Sequence, residues 1–158
     1  MKNPQRFLCV LSVAIVLAAC GRAPSSWVDF ESAAPGGAKL QLKGILTKPD
    51  GTGPFPTVVM LCGCGGLKDP RDAKQMAAWA GRLAGWGYAS LQVDSFGPRG
   101  YDDGICDHLD LLDDRQRSYD AYSAKTFLAK QTYVDPNHMA VIGWSHGGLI
   151  ALMSLFDH

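Results

Sequence analysis

The stretch Val141-Ile142-Gly143-Trp144-Ser145-His146-Gly147-Gly148 constrains this chain more than any other. An apolar run, Met139 to Ile142, precedes it and suits a buried strand. Leu149 to Phe156 follows and suits a buried helix. A serine set between glycines at a strand-to-helix junction marks a very tight turn. Neighbouring backbone passes so close to positions 143 and 147 that glycine fits both. The turn lifts the Ser145 hydroxyl clear of the sheet. The helix that starts there aims its first N–H groups at any negative charge forming beside it. Gly-x-Ser-x-Gly is moderately specific as a pattern and becomes strong in a strand–turn–helix context. The plainer reading is a glycine-rich turn with an idle serine.

At 158 residues the chain has the length of one domain. Its formal net charge is zero and it carries no basic run, which argues against a nucleic-acid partner. Abundant glycine and a hydrophobic share of 47% suit a compact α/β domain with many tight turns.

The first nineteen residues read as a signal peptide rather than as part of the fold. Lys2 and Arg6 precede an uncharged apolar stretch, Phe7 to Ala19, which is shorter than the ~20 apolar residues that a spanning helix needs. It ends in Leu17-Ala18-Ala19-Cys20-Gly21, which resembles the lipobox of bacterial lipoproteins. That resemblance implies cleavage before Cys20, lipid on its thiol and export. Several acyl chains would hold the protein to a membrane stably. Gly21, with no aspartate there, favours the outer membrane facing the periplasm in enterobacteria-like systems. Residues 20–37 are expected to be the lipidated cysteine and a tether, and residues 38–158 the folded domain.

Lys39 to Thr47 alternates polar and apolar residues like a half-buried strand. Thr57-Val58-Val59-Met60-Leu61 is wholly apolar, as in a strand covered on both faces. The loop Cys62-Gly63-Cys64-Gly65-Gly66 follows, and its glycines allow close approach of backbone to a ligand. It lacks the Gly-Lys-Ser/Thr of a phosphate loop and the third glycine of Gly-x-Gly-x-x-Gly. Met76, Trp79, Ala80 and Leu83 form a helical stripe within Asp72 to Gly85, where the tryptophans read as packing residues. Tyr88 to Asp94 reads as a further strand. Ser95 to Gly100 forms a loop at its C-terminal end, where open α/β sheets bind ligands. A helix is expected from Asp113 to Gln131, then a turn at Asp135-Pro136-Asn137-His138 leading into the strand before Ser145. This order predicts an α/β fold with a mainly parallel sheet and helices on both faces.

Taken together, Gly-Cys-Gly-Gly-Leu after one strand, Val-Asp-Ser-Phe-Gly-Pro-Arg-Gly after the next, a following cysteine, Val-Asp-Pro and Gly-Trp-Ser-His-Gly-Gly resemble exported members of the dienelactone hydrolase family. The resemblance spans roughly residues 38–156. It implies the N-terminal part of an α/β-hydrolase fold and hydrolysis of a small ester or lactone without a cofactor or metal. Ser145 would be the nucleophile, where the family's namesakes use cysteine. The backbone N–H groups of Cys64 and His146 would form the oxyanion hole. Cys62 stands where many α/β-hydrolases have a loop-bracing histidine. In such enzymes the acid and the histidine follow the nucleophile in the chain. Here His158 comes thirteen residues after Ser145, so the expectation is an N-terminal fragment that is inactive alone. The alternative is a non-catalytic lipoprotein that keeps the elbow as structure.

Removal of Cys9 with the signal and lipidation of Cys20 leave Cys62, Cys64 and Cys106. Export permits a disulfide, and Cys64–Cys106 is the expected pair because both lie in loops at the same end of neighbouring strands. Cys62 is left over or competes. A zinc site from Cys62, Cys64, Cys106 and His108 is the competing reading, with shorter spacing than usual. Asp94, Arg99 and Tyr101 could reach a substrate, or Asp94 and Arg99 could pair and brace their loop. The oligomeric state is not readable.

Overall fold

The computed structural model describes residues 23–32 and 39–156. The signal and lipidation readings, Cys20 included, lie outside these residues, as does His158. Five strands form one sheet: β1 (Ser25–Glu31), β2 (Gln41–Thr47), β3 (Phe55–Leu61), β4 (Ala89–Asp94) and β5 (Val134–Gly143). Three α-helices accompany them: α1 (Pro70–Gly85), α2 (Asp114–Leu128) and α3 (His146–Met153). The strand order is β1-β2-β4-β3-β5. β3 lies between β4 and β5 and runs parallel to both, and the β1–β2 hairpin joins β4 antiparallel.

The strand β3 shows why helices must cover both faces. Val59 and Leu61 point into one core, with Ala121, Ala124 and Leu128 of α2 and Ile150 of α3. Val58 and Met60 point into the other, with Met76, Ala80 and Leu83 of α1. The two-residue period of the strand divides its apolar side chains between the two layers.

Helix ends follow their capping residues. The Asp69 carboxylate accepts from the N–H groups of Arg71 and Asp72, both at 2.9 Å, and Pro70 occupies the first helical turn of α1. Asp113 caps α2 in the same way, accepting from Arg115 and Gln116 at 2.9 and 3.1 Å. The chain leaves α1 through Gly87 at φ 86°, a left-handed position that favours glycine.

Two expectations change. The folded part begins before residue 38, because β1 occupies Ser25–Glu31 within the stretch read as a tether. There Val28 and Phe30 turn toward the core while Trp27, Asp29 and Glu31 alternate outward. The turn expected at Asp135–His138 belongs to β5, with a shift in register against β3 between Phe55 and Thr57. Met139–Ile142 is only partly buried, because among the described residues β5 pairs only with β3 and is an edge.

Candidate active site

The C-terminal ends of β3 and β5 place the Cys62–Gly66 loop beside the turn that carries Ser145. The Trp144 N–H donates to the Leu61 carbonyl at 3.1 Å, tying the turn to β3 at that point. Ser145 sits at φ 50°, ψ −125°, the one non-glycine residue with positive φ among those described. Such backbone strain persists only when the surroundings enforce it. Gly143 and Gly147 are the enforcing positions. A Cβ on Gly143 would overlap the Gly147 carbonyl, and one on Gly147 would overlap the Leu61 and Cys62 carbonyl oxygens. The Ser145 side chain consequently stands exposed at the sheet end.

Ser145 opens into a cleft of about 290 Å³ lined by Gly63, Cys64, Gly65, Cys106 and the first turn of α1, including Arg71 and Asp72. Neither the Cys64 nor the His146 N–H donates in a backbone hydrogen bond among the described residues. The cleft thus brings the lifted Ser145 hydroxyl up to the Cys64 segment of the glycine loop. Burial pushes the Asp72 carboxyl above the usual carboxylate range, and nearby Asp69 adds to the effect.

Cys64 and Cys106 form the expected disulfide, with Cα atoms 4.8 Å apart. The Ile105 N–H also donates to the Cys64 carbonyl at 2.8 Å. The bond joins the loop after β3 to the loop after β4, and it commits two of the four atoms that the zinc reading needed. Cys62 is the free thiol, buried beneath the loop. Burial raises its pKa to about 11, against the opposing pull of Arg117, so at neutral pH it is a protonated and poor nucleophile. Iodoacetamide is therefore expected to leave Cys62 unmodified in the native, unreduced protein and to alkylate it fully in denaturant. Rapid native modification, read by peptide mass spectrometry, would contradict this placement.

The His146 ring turns away from Ser145 into the protein. Arg117 Nη1 lies 2.9 Å from Nδ1, and Nε2 lies 2.6 Å from an Asp114 oxygen. A guanidinium can only donate, so Nδ1 accepts and Nε2–H donates to Asp114. His138 pairs with Asp135 at 2.7 Å near the start of β5, and exposed His108 does not line the cleft. No histidine among the described residues lines the cleft beside Ser145.

Asp94 and Arg99 do not pair with each other. Asp94 accepts from the N–H groups of Phe96 and Gly97 at 3.1 and 2.9 Å and shapes its own turn. Arg99 makes a two-pronged bridge to Asp120 of α2, at 2.8 and 2.9 Å, and donates to the Ser95 carbonyl at 2.6 Å. Tyr101 packs into the α1-side core. Trp79 packs against Trp144 at a tilt and against Trp86 edge-on, at 5.9 and 6.4 Å between ring centroids, which is a packing role. Sequence reasoning missed Arg117 and Asp120. Both are fully buried, and their spacing on one face of α2 was the available signal.

The sequence profile of the prolyl oligopeptidase family matches residues 75–158. No curated protein matches the chain. Among solved structures it is similar to a dienelactone hydrolase-like promiscuous phosphotriesterase from metagenomic libraries, at 24% identity and a TM-score of 0.64, covering 85% of this chain and 54% of that one. It is similar to an α/β-hydrolase from Penicillium sp. sh18, at 26% identity and a TM-score of 0.63, covering 85% and 42%. It is also similar to a dienelactone hydrolase from Anabaena variabilis, at 24% identity and a TM-score of 0.60, covering 85% and 57%. The chain spans about half the length of these relatives.

Proposed function

Because the chain belongs to the prolyl oligopeptidase family, we propose that Ser145 is the nucleophile of a serine hydrolase acting on small esters or lactones. The observation that carries this reading is the strained, exposed Ser145 at φ 50°, facing the glycine loop. Its Oγ attacks the ester carbonyl and gives up its proton to a base. The carbonyl oxygen, now negative, is held by the N–H groups of Cys64 and His146. The alkoxide leaves with a proton, and water releases the acid from the acyl-serine.

Activation of Ser145 requires a base, because an unassisted alcohol is a poor nucleophile at neutral pH. His146 is engaged elsewhere, so the 158-residue chain alone is inactive in this reading. A form that adds an acid and a histidine is active. The Leu17-Ala18-Ala19-Cys20 sequence supports export and lipid anchoring at Cys20 on a bacterial membrane. The placement of His146 also favours a second reading, in which the elbow serves only as structure in a non-catalytic lipoprotein.

A serine-reactive fluorophosphonate probe separates the two. In a form carrying the added acid and histidine, labelling should map to Ser145 and disappear in Ser145→Ala, with hydrolysis of p-nitrophenyl esters lost in parallel. The 158-residue chain should do neither. No labelling of the longer form would leave the structural reading standing, and ester turnover by the 158-residue chain would overturn its assigned inactivity.

A further inference from the structure

We propose that Arg117 is a positioning residue that locks the Cys62–Gly66 loop to the Ser145 turn, and so holds the two halves of the oxyanion hole in one geometry. The proposal rests on the hydrolase reading for its catalytic meaning, while the lock itself is a structural claim.

Arg117 enters from α2, an element that supplies nothing to the cleft itself. Its side chain is fully buried, with the guanidinium 4.5 Å from the centre of the Phe96 ring. One terminal nitrogen, Nη2, donates to the Cys62 carbonyl at 2.7 Å. The other, Nη1, donates to His146 Nδ1 at 2.9 Å. Cys62 is the residue from which the glycine loop departs, so its carbonyl sets the direction in which the Gly63–Cys64 backbone leaves β3. His146 is the residue directly after Ser145. One planar fork therefore ties the residue at the base of the glycine loop to the residue that follows Ser145.

The surroundings reinforce this choice. Asp114, also on α2, takes the other side of the His146 ring at 2.6 Å, so the imidazole is held from both nitrogens. Gly63, Gly65 and Gly66 contribute no side chains to hold the loop's shape, and the Cys64–Cys106 disulfide ties it on the side of the loop after β4. The disulfide does not reach the Ser145 turn, and Arg117 is the group that joins the base of the loop to it from behind. A lysine cannot reproduce it, because a single ammonium is a point donor and not a two-pronged one.

Peptide-level hydrogen exchange by mass spectrometry tests this on the full 158-residue chain and reads each segment whatever the oligomeric state. Arg117→Met keeps the apolar stem and removes both donors. Exchange at the segments 62–66 and 144–149 should accelerate at least tenfold, while β4 keeps its protection. Arg117→Lys should restore part of the protection in one of the two segments and not in both. Arg115→Met, exposed on the same helix, should change neither. A uniform acceleration through β4 would make Arg117 an ordinary core residue and overturn the proposal, as would unchanged exchange in both segments. If Arg117→Met does not fold, the lysine variant decides alone: full protection in both segments overturns the lock. In a form that reacts with fluorophosphonate, Arg117→Met should also slow labelling of Ser145 at least tenfold. Absence of labelling in the wild type would count against the hydrolase reading and leave the exchange result to stand by itself.

Discussion

Gly147→Ala is expected to destabilise the protein by about 3 kcal/mol or more, the upper end of what overpacking usually costs. The added methyl would be driven into the carbonyl oxygens of Leu61 and Cys62. These are backbone atoms of β3 and the glycine loop, so no side chain can swing aside to make room. Gly143→Ala should behave alike, since its Cβ would strike the Gly147 carbonyl. Gly81→Ala is the counterpart. It lies inside α1 with nothing within 4 Å of its would-be Cβ, and alanine there should stabilise by about 0.5–1 kcal/mol through helix propensity. Thermal unfolding followed by circular dichroism measures all three. A Gly147→Ala protein that melts with the wild type would mean that the turn relaxes, and that Ser145 is not held by its neighbours.

The second large effect concerns β5. Among the described residues this strand pairs only with β3, which leaves one row of its N–H and C=O groups without a strand partner. Met139 to Gly143 contains no charge and no proline to discourage pairing with another chain. A groove of about 220 Å³ runs beside it, lined in part by Val59, Met139 and Val141. Near it, Leu152, Leu155 and Phe156 are 56%, 67% and 77% exposed. The purified chain should therefore self-associate as its concentration rises, with β5 edges pairing and these side chains covered. Sedimentation velocity should show the larger species, and Ala140→Lys, placing a charge at an exposed position on the edge, should shift the population toward monomer. A wild-type monomer at tens of micromolar would overturn this expectation.

The parts of the site that sequence made legible are those in which chemistry is local. Gly143, Ser145 and Gly147 announce a strained turn because glycine at two fixed offsets has few other uses. Cys64 and Cys106 were pairable because each follows an apolar strand, and strand ends of a parallel sheet converge on one side. The covered faces of α1 followed from Met76, Ala80 and Leu83 at helical spacing. Helix α2 was a different case. Its buried face includes Arg117, Ser118, Asp120 and Ser123, so hydrophobic periodicity points nowhere useful. Ser118 and Ser123 donate to carbonyls of α2 itself, while Cys62 and His146 meet Arg117 and Arg99 meets Asp120 from three separate segments, and none of these long-range partnerships leaves a local mark. Asp94 and Arg99 misled for the same reason: one at the end of β4 and the other in the loop that follows, they look like a pair, yet Arg99 reaches across to Asp120. The strand β1 was hidden because Ala23-Pro24-Ser25-Ser26 has a linker's composition, although Val28 and Phe30 already alternate.

The wall of the cleft opposite the serine is mostly main chain. Gly63 and Gly65 contribute no side chain, and Cys64 is committed to its disulfide. Adding atoms at Gly65 would crowd the Asp69 side chain that caps α1, so this wall is also hard to rewrite. Variation in what the cleft accepts is thereby displaced onto the first turn of α1, where Arg71 and Asp72 present charged groups of opposite sign at the rim. Among the residues lining the cleft, the charge that an entering molecule would meet is therefore set by that single turn and not by the loop.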